Sequence, residues 1–319
     1  MPFDAPQTTM IRWNGLSAKA WEKQLARASL APCQQAYAFG EVIAAHGGEV
    51  VRAELVNEGE TAGLCQIAVR KFPGFRLATA MMGPVWLRED LAEDTRAALI
   101  DELGRTLPIK GLHAFLLMPQ GEGSGTEEKL RLRRVVSPYH TVLLELTQDE
   151  EALLAGADGK WRNRLRAAEK AGLTINLLGR RAEQYKWLLE AERRQQKRLG
   201  YRALSPLMVP AWQEKAGKDS VIGFEAKLGA ERVAGMLLFR HGATATYHIG
   251  WASKSGREAN AMNLLLWQSI RQLKKKGVTT LDLGGVDTDH APGVARFKLG
   301  TGGRLISQSG TWLLRPRLR

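Results

Sequence analysis

Apolar and polar positions alternate along Val50–Val56, break at Asn57-Glu-Gly-Glu, and resume as a second apolar segment, Ala62–Val69. A period of two with a short polar interruption predicts two strands and a tight turn. The same phrase returns far downstream as Ile222–Leu228, a break at Gly229-Ala-Glu-Arg, and Val233–Phe239. Thr61-Ala-Gly-Leu in the first copy is echoed by Val233-Ala-Gly-Met in the second. A third strand follows in each, Phe75–Met82 and Ala243–Ala252. The period then lengthens. Leu91, Thr95, Leu99 and Leu103 fall on one helical face in the first copy, and Met262, Leu266, Ile270 and Leu273 in the second. Each helix gives way to a Lys-Gly pair, Lys110-Gly111 or Lys276-Gly277, ahead of a returning strand, Leu112–Met118 or Val278–Leu283. Glycine just past the last helical turn is the usual left-handed stop.

A meander, a crossover helix and a returning strand make one mixed α/β unit, written here twice. That order resembles the core of the N-acetyltransferase-like (GNAT) fold. The expected class is therefore α/β (α+β), with two tandem GNAT-like domains, mixed sheets and crossover helices; two unrelated small α/β domains would show the same order. Gly121-Glu-Gly-Ser-Gly-Thr-Glu-Glu reads as a polar loop between the copies. The boundary is placed near Pro138, giving a first domain over 1–137 and a second over 138–319. A strand at Thr141–Leu146 opens the second, with Thr147 as the expected cap of the next helix. No apolar run approaches the ~18 residues of a membrane span, and the opening MPFDAPQTTM lacks the apolar stretch of a signal peptide.

Of 319 residues, 44% are hydrophobic and 25% charged, the balance of a globular chain. The sign of the charge is less ordinary: 46 Lys/Arg against 33 Asp/Glu leaves +13. Such an excess favours an anionic partner, whether nucleic acid, nucleotide or an acidic membrane surface. Much of it lies between Lys160 and Arg202, where thirteen Lys/Arg meet four Glu. Lys160–Gly172 is helical by pattern, with Trp161, Leu165 and Ala168 as an apolar stripe. Lys160 and Arg164 flank the stripe on one side, and Arg162, Arg166 and Lys170 on the other. A row of this kind can bind tRNA or other phosphates; it equally suits a solvated face whose aliphatic stems cover the edge of the core. A second helix, Arg181–Leu199, leads to Gly200-Tyr201-Arg202. Two cysteines, Cys33 and Cys65, give no disulfide framework, and a reducing, cytoplasmic setting is expected.

The most specific stretch is Thr279-Thr-Leu-Asp-Leu-Gly-Gly-Val286, followed by Gly293-Val-Ala-Arg-Phe-Lys-Leu-Gly300. A strand ending in Asp and two glycines lets backbone approach a ligand, and the Phe-Lys pair sets a cation in the next segment. Three further landmarks stand in order before it: Gln35-Ala-Tyr-Ala-Phe39-Gly, Met82-Gly-Pro-Val85, and the basic helix with the strand Leu173–Leu177 behind it. With these, the chain from Gln35 to Leu314 resembles the FemABX family of aminoacyl-tRNA-dependent transferases. The resemblance implies two GNAT-like domains, no metal, and no cofactor beyond the aminoacyl-tRNA donor. It implies transfer of an amino acid to an amine of a peptidoglycan precursor. The long helical arm of some members has no room between Gly172 and Gly200.

Residue by residue, the resemblance makes Lys298 the stabiliser of the tetrahedral oxyanion and sets Arg202 near a phosphate-bearing acceptor. Phe297, Asp282, Gly284 and Gly285 are expected at the substrate. Without the resemblance Lys298 would read as a surface lysine behind a core phenylalanine. Two departures bear on the acceptor. Where relatives that use nucleotide precursors carry a phosphate-binding lysine, this chain has Phe39-Gly-Glu41; where relatives offer an aspartate, it has Met118-Pro119. A lipid-linked precursor met at the inner face of the cytoplasmic membrane, or another amine, fits these departures better than a soluble nucleotide-linked one.

Two rival functions stay open at this point. An acyl-CoA-dependent N-acyltransferase of the GNAT superfamily would share the fold, but needs a glycine-rich pyrophosphate turn at the crossover helix. Ser253-Lys-Ser-Gly256-Arg-Glu-Ala and Gly83-Pro-Val do not spell one. A non-catalytic protein that binds RNA or a membrane surface would also account for the charge. Asp287-Thr-Asp289-His290 has no metal-ligand spacing. His113 and His248 lie within strands, the cysteines read as packing residues, and Trp251 and Trp267 as core.

Overall fold

A computed structural model describes residues 9–122, 125–200 and 205–314, and the chain divides into two units. The first takes the chain up to Tyr139 and again from Ser307; the second is His140–Ile306.

In the first unit β1 (Thr9–Trp13), α1 (Ala18–Leu25) and α2 (Tyr37–Ala45) precede a meander of β2 (Glu49–Asn57), β3 (Glu60–Phe72) and β4 (Phe75–Met81). Glu58 and Gly59 both take positive φ between β2 and β3, the two-residue turn that matches the twist of a hairpin. After the short β5 (Val85–Trp86), α3 (Glu93–Arg105) crosses to β6 (His113–Met118), and α4 (Thr126–Lys129) and β7 (Arg133–Val136) lead out.

The second unit begins with β8 (His140–Glu145), α5 (Glu150–Gly156), α6 (Gly159–Glu169), β9 (Thr174–Leu178), α7 (Ala182–Leu199) and α8 (Met208–Ala216). Its meander is β10 (Val221–Leu228), β11 (Glu231–His241) and β12 (Thr244–Ala252). Helices α9 (Lys254–Glu258) and α10 (Ala261–Lys275) then cross to β13 (Thr280–Val286), followed by α11 (Pro292–Leu299) and β14 (Arg304–Ser307); the last strand, β15 (Thr311–Leu314), belongs to the first unit. The two mixed sheets run β1-β2-β3-β4-β6-β15-β7, with β5 against β3, and β14-β8-β13-β12-β11-β10-β9. Both are GNAT-like in order, and the fold is a tandem one. Helix α3 closes one core over Leu55, Ile67, Ala80 and Leu117; α6 and α10 close the other over Ala226, Met236, Leu238 and Leu281.

Three features differ from the sequence expectation. The second domain does not run to residue 319, because β15 returns and pairs with β6 and β7. Strand β6 would otherwise end its sheet with an unpaired row of backbone groups, which the returning strand fills. The polar segment after Gly121 ends in α4, whose Thr126 and Glu127 are buried. Asp149, not Thr147, caps α5, accepting from the backbone of Ala152. No helix among the described residues is long and apolar enough to cross a membrane.

Candidate functional site

The two copies differ where the crossover ends. In the first unit β4 and β6 pair in parallel from Arg76–His113 through Met81–Met118. In the second, β12 and β13 pair only from Thr244–Thr280 to Thr246–Asp282, then part. Beyond that point β12 stays with β11, and β13 with β8. The parting has local causes. Leu237 pairs with Ile249 and Leu238 with Tyr247, so His248 is the extra residue of a bulge that bends β12. On the other side the register slips between Asp282 and Gly285, where Gly284 takes φ +72°, a conformation that favours glycine. An opening at the C-terminal ends of parallel strands is where α/β sheets hold ligands.

Lys298 reaches into this opening from α11, a helix started by Pro292. Its ammonium lies 2.7 Å from the Gly285 carbonyl oxygen and 5.4 Å from the centre of the Tyr247 ring. The residue is 6% exposed, so the surface-lysine alternative fails. Burial pushes its pKa down to about 8, and the Asp282 carboxylate opposes that through space. An ammonium has three donors, and among the described residues Gly285 takes one by hydrogen bond.

Asp282, Gly284, Gly285 and Lys298 thus converge, but Asp282 is turned into its own chain. Its Oδ1 accepts from Thr141 Oγ1 and, at 2.8 Å, from the Gly284 amide. Phe297 packs against the core of the unit. Arg202 lies outside the described residues. Thr141 and Tyr247 join the site with no sequence signal to mark them. The Tyr247 ring lies back over β12, where a Cβ on Gly250 would stand 1.6 Å from its hydroxyl. The pair Tyr247-x-x-Gly250 becomes meaningful only once that close approach is visible.

The basic helix separates into two kinds of cation. Arg162 turns back and donates to the carbonyls of Leu154, Ala155 and Ala157 at the end of α5, with the Ala155 bond at 2.9 Å. The last carbonyls of a helix run short of intrahelical partners, and the guanidinium serves as a cap there, sharing the Leu154 carbonyl with the Ala157 amide. Lys160, Arg164, Arg166 and Lys170 are exposed, and none has a carboxylate within 4 Å among the described residues. Replacing Arg162 by alanine is expected to destabilise the second unit by about 1–3 kcal/mol, the range for hydrogen bonds from a charged donor. Arg164→Ala and Arg166→Ala should leave stability within about 0.5 kcal/mol. Urea unfolding of the three variants checks the contrast, and equal losses would contradict it.

Other motifs resolve into structure. Gln35 donates to the carbonyls of Gln66 (3.1 Å) and Met81 (2.7 Å) and accepts from the Gln66 amide (2.6 Å). It thereby ties the Gln35–Gly40 landmark to the end of β4, just before Met82-Gly-Pro-Val85. Glu41 is bound by Arg52 at 2.9 Å. Gly256 packs against β11, since a Cβ there would stand 2.1 Å from the Val233 carbonyl oxygen. The ring of His248 stacks on Phe239 at 4.3 Å, and burial pushes its pKa down to about 4. Asp287 closes its own loop by accepting from the Asp289 and His290 amides. Cys65 is fully buried, which pushes its thiol pKa up.

Residues 158–299, which hold α6, the opening and Lys298, match the acetyltransferase (GNAT) domain family. No curated protein sequence matches the chain. Among solved structures, a crystal structure of FemX superposes with a TM-score of 0.79, covering 95% of this chain and 96% of that one at 16% identity. A tandem GNAT protein from the clavulanic acid biosynthesis pathway gives 0.58, with 97% and 100% covered at 11% identity. The C-terminal domain of a putative lysylphosphatidylglycerol synthetase from Agrobacterium fabrum gives 0.53, with 94% and 93% covered at 13% identity. What is shared at such identities is the fold, and the likeness to a Fem-type protein extends along nearly the whole chain.

Proposed function

We propose that the protein is a Fem-like aminoacyltransferase: an amino acid moves from aminoacyl-tRNA to an amine of a cell-wall precursor in the opening between β12 and β13. The observation that carries this reading is a buried ammonium, that of Lys298, beside strands that part in one copy of the fold and stay paired in the other.

The donor ester is already activated, so the chemistry asks little of the protein. The amine attacks the carbonyl carbon, a C–N bond forms, and the carbonyl electron pair moves onto oxygen. Collapse breaks the C–O bond to the ribose, and the amine proton passes to the released hydroxyl. The site must supply proximity and a positive group where the oxyanion develops. Lys298 is that group; with a pKa about 8 its charged form outnumbers the neutral one by roughly ten to one at pH 7. Phosphates of the tRNA have the exposed Lys160, Arg164, Arg166 and Lys170 to meet. Glu41 and Met118, together with the likeness to a putative lysylphosphatidylglycerol synthetase domain, favour a lipid-linked acceptor at the inner membrane face.

Purified protein given charged tRNA and lipid-linked precursor should form the aminoacylated product, and RNase should abolish it. Transfer from acyl-CoA that survives RNase would instead identify a CoA-dependent N-acyltransferase. Salt-sensitive RNA binding with no transfer to any amine would leave a binding protein.

A further inference from the structure

The opening holds a second ionisable group, half-buried, to which oxyanion stabilisation gives no task. Asp282 stands at the last paired position of β13, opposite Thr246. Its neighbours Leu281 and Leu283 are buried in the core, which turns Asp282 to the other face of the strand. One anchor comes from another strand, Thr141 Oγ1 on β8; the second is the Gly284 amide, two residues on. Together they close a turn in which Gly284 is left-handed, and the next carbonyl, that of Gly285, receives the Lys298 ammonium at 2.7 Å. The chain of contacts therefore runs from β8 through Asp282 and the glycine turn to Lys298.

The electrostatics agree with that geometry. A buried ammonium without an anion nearby gives up its proton. Among the described residues, the groups set against this ammonium are the Gly285 carbonyl, the ring face of Tyr247, and Asp282 acting through space. Burial raises the pKa of Asp282, while Thr141, the Gly284 amide and Lys298 all act to lower it.

We propose that Asp282 is the positioning residue of Lys298: its carboxylate locks the Gly284–Gly285 turn against Thr141 and serves as the counter-charge that holds the ammonium in the opening. The proposal rests on Lys298 being the stabilising cation of the transfer reaction. Asparagine at this position keeps an oxygen that can accept from both Thr141 and Gly284, and loses only the charge. The two parts of the role can therefore be separated.

The test titrates Lys298 directly in the full chain, without substrates. An amine-acylating reagent is applied across pH 6–10, and modification at Lys298 is read by peptide mass spectrometry. The wild type should show a midpoint near 8. Asp282→Asn should lower it by about one pH unit, the size of effect a nearby opposite charge has, with unchanged melting. Thr141→Val weakens the anchor but keeps the carboxylate, and should move the midpoint the same way by less; it carries the test alone if Asp282→Asn does not fold. Transfer by Asp282→Asn should fall away on the alkaline side at a lower pH than transfer by the wild type does. A midpoint that stays in place in these variants overturns the proposal, as does a pH-independent loss of transfer in Asp282→Asn, which would make Asp282 a proton acceptor instead. If the midpoint shifts but the wild-type protein transfers no aminoacyl group, the positioning role stands and the Fem-like reading falls.

Discussion

Lys298→Met should transfer an aminoacyl group about 10²–10³-fold more slowly than the wild type while remaining folded. That range is the usual loss when one preorganised donor to an oxyanion is removed. Stability should move little, or rise. Lys298 is 6% exposed, and burying an ammonium costs hydration that a single carbonyl hydrogen bond and a carboxylate at longer range repay only in part. Methionine fills similar space without that cost. Single-turnover transfer and a thermal melt on the same preparation decide the matter. A variant that melts normally and transfers at the wild-type rate removes Lys298 from the chemistry.

The largest expected loss of stability lies in the first unit, at Gln35. The side chain is fully buried and makes three hydrogen bonds, to the Gln66 carbonyl and amide and to the Met81 carbonyl. Leucine keeps most of the volume but leaves those backbone groups without partners. Each buried polar group so stranded costs about 1–3 kcal/mol, so Gln35→Leu should destabilise the protein by about 3 kcal/mol or more. Gln66 shares the network, donating to the carbonyls of Gln34 and Ala36 and accepting from Arg52. The double variant with Gln66→Leu should therefore cost less than the two single losses added together. Denaturant unfolding measures all three, and a loss below about 1 kcal/mol for Gln35→Leu would show that water or a rearranged neighbour replaces it.

The repeat was legible because both of its periods are local. Alternation over seven or eight residues and helical spacing over twelve do not depend on what the chain does elsewhere, and both copies of the meander and crossover helix follow from them. The parting of β12 and β13 is a property of pairing register, and register is set between segments some thirty-five residues apart. Asp282, Gly284 and Gly285 stand out in the sequence as a signature, yet the contacts that tie them together do not: Asp282 binds Thr141 and the glycine turn, and the Gly285 carbonyl takes Lys298. Arg162 shows the same limit on a helix: its spacing is that of Arg166 and Lys170, but the carbonyls it caps end a different helix. The return of β15 was invisible for a related reason. Four residues near the end of the chain carry no mark of the strand edge they will complete.

Catalysis by Lys298 requires the acyl carbonyl to sit in the opening. A structure of the protein with a stable phosphonate analogue of the tetrahedral intermediate, built on the 3′ end of a short RNA, tests this directly. The phosphonate oxygen should lie between β12 and β13, within hydrogen-bonding distance of the Lys298 ammonium. An analogue bound in the first unit, or in the second with its phosphonate away from Lys298, would contradict it.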